Sequence, residues 1–166
     1  LSTETIDDLF ERVLERVEKD CGKKQVKAAM MVIWASRAGL TEKEILEIAE
    51  LSPVVWATMR HALDDSLLET NGRITFAHDY LKIAVKDRFL TTSAKQVRAH
   101  RHLAQWFQSR PFDARRAEEE PYQWMLGFDY IKLKRCLTVR EMFMAIRQKL
   151  GTQALLSYWI FLETRR

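Results

Sequence analysis

No run of about 18 apolar residues occurs in this 166-residue chain, so no segment reads as a membrane span. The N-terminus also lacks the basic, apolar and small-residue zones of a secretory signal. Cysteine is nearly absent. Cys21 and Cys136 are too few and too far apart for a disulfide framework, and reduced thiols in a cytoplasmic setting fit them better. Glycine is scarce too, and its placement excludes one chemistry. A phosphate-cradling loop needs Gly-x-x-x-x-Gly-Lys-[Ser/Thr], because glycines let backbone N–H groups converge on the nucleotide. Gly22-Lys23 is the only Gly-Lys pair; Val17 stands where the first glycine belongs and Lys24 where the hydroxyl belongs. Nor is there a Gly-x-Ser-x-Gly elbow for a nucleophilic serine. The segment reads as no enzyme on its own. The first residue is Leu1 rather than Met, which reads as a piece of something longer.

What is present describes an ordinary folded protein. Hydrophobic residues make up 47% and charged residues 30%, and five Trp with eight Phe argue for a packed core rather than disorder. The net charge of +4 conceals a division. Residues 1–90 carry 13 Lys+Arg against 16 Asp+Glu, whereas residues 91–166 carry 14 against 7. A basic second half suits a nucleic acid, an acidic protein partner, or simply a solvated helical surface.

The hydrophobic period switches from helix to strand and back only once, in SLLETNGRITFAHDYLKIAVKDRFL, residues 66–90. Leu68 and Thr70 alternate up to Asn71-Gly72, and residues 73–76 alternate away from it, the signature of a hairpin with a type I′ turn. Before it, Ile6, Leu9, Phe10, Val13, Leu14 and Val17 repeat at helical spacing, with Thr5-x-x-Asp8 as cap and Gly22 as stop. Lys23-Lys24 reads as a hinge. A second helix carries Val26, Ala29, Met30, Ile33 and Trp34 and is expected to end at Gly39. Thr41-x-x-Glu44 caps a third, and Ser52-Pro53 opens a fourth with Trp56, Met59 and Leu63 inward. Three helices and a two-stranded wing make a winged-helix module over residues 24–90, preceded by a linker helix over 1–23.

Residues 91–166 are helical throughout. One helix opens at Ser93-x-x-Gln96 and closes before Pro111. Another runs from Ala114 to Met125 with Pro121 as an interruption or start, and a third follows Asp129. Thr138-x-x-Glu141 is expected to cap a fourth, and the last runs from about Thr152 to Thr164. Short helices on short links suggest the opening of a helical array, although no fixed-period repeat is visible. The fold class is therefore mainly α: a winged helix followed by a small helical, TPR-like subdomain.

His78-Asp79, at the join of the second strand and the next helix, is the candidate site, because unpaired N–H groups there can read a phosphate or be capped. Two other chemistries compete. A metal-dependent phosphohydrolase of the HD type would need His61, His78, Asp79 and Asp113 to converge on a divalent cation. A DNA-binding winged helix would place residues 53–67 in the major groove; Arg60 and His61 there are offset by Asp64 and Asp65, and the wing tip adds only Arg73. In that reading Arg115, Arg116 and Lys134 of the basic half contact phosphates.

The segments LFERVLERVEKDCG, MMVIWASRAGLTEKEILEIA, ITFAHDYLKIAVKDRFL, AHRHLAQWFQSRP and RRAEEEPYQWML, in this order, resemble the region after the ATPase core in NACHT-type STAND P-loop NTPases. The likeness is to the nephrocystin-like, telomerase-associated-protein-like and NACHT–WD-repeat branch, over about residues 9–143. The resemblance implies a regulatory segment that docks on a cis P-loop ATPase domain and leads into a C-terminal repeat array. It implies ADP or ATP with Mg in the longer protein, none held by this segment, and homo-oligomeric assembly on opening. Ala77-His78-Asp79 is similar to the Met-His-Asp motif of related switch ATPases, with Ala in place of Met. That likeness implies His78 as a sensor of the ADP β-phosphate and Asp79 as its orienter or helix cap.

Overall fold

The computed structural model describes the backbone of residues 6–164 and the side chains of residues 9–164. The expected Thr5-x-x-Asp8 cap lies outside the described residues. The chain separates into two compact units, Leu1–Ser93 and Ala94–Arg166.

In the first unit, α1 (Ile6–Cys21), α2 (Lys23–Ala35), α3 (Glu42–Ile48) and α4 (Pro53–Ala62) precede a 3₁₀ turn at Asp64–Ser66. Strands β1 (Leu67–Thr70) and β2 (Arg73–Phe76) follow, and α5 (Asp79–Phe89) closes the unit. Phe10, Leu14 and Val17 form one buried stripe on α1, at i, i+4 and i+7, and that helix packs on α2, α4 and α5. The core gathers Met30, Ile33, Ile45, Trp56, Met59, Leu63, Leu81 and Val85, each buried. Burying side chains of this kind stabilises by about 1.5–3 kcal/mol apiece.

Local chemistry sets most boundaries. The Thr41 hydroxyl accepts from the Glu44 N–H while the Glu44 carboxylate accepts from the Thr41 N–H, completing the capping box on α3. Ser52 caps α4, with Pro53 in its first turn. Asn71 and Gly72 both take positive φ, 53° and 72°, as the type I′ turn requires. Two expectations shift. Lys23 and Lys24 belong to α2, so the break after α1 is Gly22 alone. Helix α2 ends at Ala35, short of Gly39. In the hairpin Leu67 and Ile74 face inward, while Leu68 lies on the outer face opposite Thr75.

Gly39 has a different task from ending a helix. Its φ is +79°, and a Cβ there would lie 2.7 Å from Thr75 Cγ2 and 2.9 Å from the Ile74 oxygen. Only glycine lets this stretch press against β2. Leu40 then exchanges both backbone hydrogen bonds with Ile74, at 3.1 and 2.8 Å, and adds a short third member to the hairpin.

The second unit comprises α6 (Ser93–Gln108), α7 (Ala114–Leu126), α8 (Tyr130–Thr138) and α9 (Arg140–Glu163). Asp113 and Asp129 cap α7 and α8 through the Arg116 and Lys132 amides. Helix α7 runs unbroken through Pro121, so that proline neither interrupts nor starts it. Helix α9 breaks at Gly151, φ +85° and ψ 169°, which separates the two helices expected there. Thr138 caps nothing: its hydroxyl donates back to the Arg135 oxygen, and Val139 holds the cap position of α9. The core packs Trp124, Leu133, Leu137, Ile146 and Tyr158 around α7, which contacts α8 and α9. No described helix is long and apolar enough to cross a membrane.

Candidate functional site

The first unit holds a cleft of about 630 Å³. Leu9, Phe10, Val13 and Arg16 of α1 line it, with His61 and Ala62 from the end of α4, the 3₁₀ turn Asp64–Ser66, and His78. Leu9 is 53% exposed although it continues the apolar stripe of α1, because it faces this cleft instead of the core. The hairpin delivers His78: β2 ends at Phe76, and His78 occupies the N-cap position of α5 with extended backbone, φ −136° and ψ 142°. Both His78 and Asp79 are exposed.

The imidazole makes no cap hydrogen bond. The Leu81 N–H reaches the His78 carbonyl at 3.2 Å, whereas the amides of Asp79 and Tyr80 meet no acceptor among the described residues. Helices α3, α4, α7 and α8 all have a side-chain cap in that place. An imidazole beside open first-turn amides can donate to an anion's oxygens. Asp79 is the first residue inside the helix, where its charge suits the positive end. The cap position thus falls to His78 and not to Asp79, and the described residues show no hydrogen bond between the two side chains.

The sequence of the first unit has a counterpart among known families. Residues 2–75 match the family described as NWD1-like, winged helix-turn-helix domain. That stretch of the first unit is therefore similar to an NWD1-like winged-helix domain. The match ends at residue 75, before His78. The chain is also 28% identical over 170 residues, 98% of its length, to a TPR repeat-containing protein of Dictyostelium discoideum. It spans only about a tenth, 10%, of that relative's length. No solved structure gives a significant match.

Sequence reasoning missed the clamp that ties α1 to α5 in the first unit. Arg88 grips Glu18 with two parallel hydrogen bonds, Nε to Oε1 at 3.0 Å and Nη2 to Oε2 at 2.9 Å. Its Nη1 donates to Glu11, and Glu15 lies 3.9 Å away. Hydrogen bonding from Arg88, more than its charge, holds the Glu18 carboxyl below the usual range, and burial opposes this. The same bonds push the Arg88 guanidinium up. The available signal was Glu11, Glu15 and Glu18 at i, i+4 and i+7, one acidic stripe needing a cation.

The competing chemistries fare differently once the side chains are placed. His61 and His78 share the cleft with Asp64 and Asp65, yet among the described residues no three His, Cys, Asp or Glu side chains converge as a metal site. Asp113 is occupied as the cap of α7. His100 is buried, its Nδ1 2.7 Å from Gln123 Oε1, while His102 is exposed. For DNA, the α4 cation Arg60 is turned onto Glu69 of β1 at 3.1 Å. Arg115 and Arg116, expected on phosphates, are paired internally: Arg115 with Glu118 and Glu119, Arg116 with Glu120.

Proposed function

We propose that this chain is a regulatory segment of a STAND-type signalling ATPase. It docks on a P-loop domain of the same polypeptide and couples the ADP or ATP state to opening and partner assembly. The observation that carries the reading is His78, exposed on the cleft at the N-terminus of α5, whose first-turn amides lack a side-chain cap. The NWD1-like match and the NACHT resemblance of the same residues support it. The second unit leads towards repeats that bind protein partners, a role supported by the TPR repeat-containing relative.

The segment performs no covalent step. Nucleotide with Mg is held and hydrolysed by the P-loop domain, and this chain's contribution is a contact made in one state and lost in the other. An imidazole N–H donating to a terminal phosphate oxygen is a charge-assisted hydrogen bond. A contact worth about 1.4 kcal/mol more in the closed state shifts the closed-to-open ratio roughly tenfold. Arg88 gives that contact leverage, because it fixes α1 to the helix that begins at His78.

In the full-length protein, His78→Ala is expected to speed ADP release about tenfold and to raise the open or oligomeric fraction. His78→Gln, which retains an N–H donor, recovers part of the retention. An ADP off-rate and an assembly state unchanged in His78→Ala would sink the proposal.

A further inference from the structure

We infer that the surface of α8 and the first half of α9 is a docking site for an acidic amphipathic helix from a partner protein. The inference stands on the second unit alone and does not depend on the role of His78. Three of the seven acidic residues in 91–166, Glu118, Glu119 and Glu120, are buried and neutralised by Arg115, Arg116 and Lys149. Asp113 and Asp129 are engaged as helix caps. The acids that would balance the surface cations are therefore consumed inside.

Uncompensated charge gathers on two exposed stripes, one on each of the helices that Val139 joins. On α8, Ile131, Lys134 and Arg135 stand at i, i+3 and i+4; on α9, Arg140, Met144 and Arg147 stand at i, i+4 and i+7. None of these four cations has an ion-pair partner among the described residues, and Glu141 is the one exposed acid between residues 131 and 148. Interleaved with them, Ile131 is 71% exposed, Met144 52% and Val139 48%. Large aliphatic side chains left in water beside cations are poor solvation and good recognition. They carry no aromatic face on which bases could stack, so the mixture favours a helix with leucines along its centre and carboxylates on its flanks over a nucleic acid.

The test uses the full 166-residue chain and a fluorescent synthetic helix of about 18 residues, with a leucine stripe flanked by glutamates. A scrambled peptide of equal composition, a duplex DNA and the protein alone in sedimentation serve as the other arms. Saturable binding of the patterned helix is expected, about tenfold tighter than of the scrambled one. Lys134→Glu with Arg135→Glu is expected to abolish it, and Ile131→Ser with Met144→Ser to weaken it about tenfold, both with unchanged circular dichroism. Equal binding of the two peptides, tighter binding of duplex DNA, or self-association lost in the same variants would each overturn the inference, as would no binding at all.

Discussion

Arginine meets glutamate in both units, but on different terms. In the first, Arg88 reaches Glu18 across 70 residues of sequence and joins two helices at a partly open surface, with side-chain exposures of 19% and 10%. In the second, Arg115 and Arg116 meet Glu118, Glu119 and Glu120 within one helix, at i+3 and i+4, and the carboxylates are buried. The network extends inward: Gln123 Nε2 donates to Glu119 at 2.8 Å, and Trp124 Nε1 to Glu120 at 3.2 Å. Since Gln123 donates through its nitrogen, its Oε1 is left to accept from His100 Nδ1–H. One cluster is a strap between elements, and the other is the polar centre of a core. A strap can be cut with the elements still folded, whereas a buried centre cannot lose one member without stranding the rest.

The largest effect is therefore expected inside α7. Glu119→Ala removes a fully buried carboxylate and leaves Arg115 and Gln123 without it, at a cost of about 3 kcal/mol or more. Urea unfolding followed by tryptophan fluorescence measures this. A loss near 1 kcal/mol would mean that solvent or a neighbour replaces the carboxylate, and the contrast between the two clusters would fail.

Arg88→Ala comes next, at about 2 kcal/mol, because two charge-assisted bonds to Glu18 vanish and three glutamates on α1 lose their counter-charge. Arg88→Lys recovers only part, since an ammonium cannot make the paired bonds. The clamp also has a pH signature. The Glu18 carboxyl lies below its ordinary 4.5 in the folded chain. Its contribution is fully present above 4.5 and is lost as pH falls through the depressed folded value. The difference in stability between wild type and Arg88→Ala should accordingly shrink as pH drops below 4.5, and a difference constant down to strongly acid pH would show that Glu18 is not what Arg88 holds.

How much of this was legible follows from the range of each interaction. The hairpin, the caps at Thr41, Ser52 and Asp129, and the helical stripes are set by residues within about four positions of one another, and the chain displays them directly. So too for His78 at the strand–helix join. The clamp needed a partner 70 residues away, so only the acidic stripe showed. Gly39 read as a helix stop because glycine punctuates helices; that β2 lies against it is a tertiary fact. The buried glutamates ran against expectation, since three consecutive carboxylates ordinarily mark a solvated face. Adjacent Arg115-Arg116 was the visible hint that they are paired, and it entered only the alternative DNA-binding reading, as a phosphate contact.

The smallest expected effect isolates a local signal that misled. Thr41-x-x-Glu44 and Thr138-x-x-Glu141 are the same motif in sequence, yet one forms a reciprocal cap and the other does not. At Thr41 the chain arrives extended, with φ −69° and ψ 157°, so its hydroxyl faces the first-turn amides of α3. Thr138 is instead the last residue of α8, and its hydroxyl is spent on the Arg135 carbonyl at 2.9 Å. The extended residue that starts α9 is Val139, which has no oxygen to offer. Thr41→Ala should cost about 1 kcal/mol, and Thr138→Ala no more than about 0.5 kcal/mol. Thermal unfolding of both variants decides it, and Val139→Ser supplies the converse. A serine there would cap α9 and stabilise the second unit by up to about 1 kcal/mol, and an unchanged or lowered melting temperature would show that the missing oxygen is not what the start of α9 lacks.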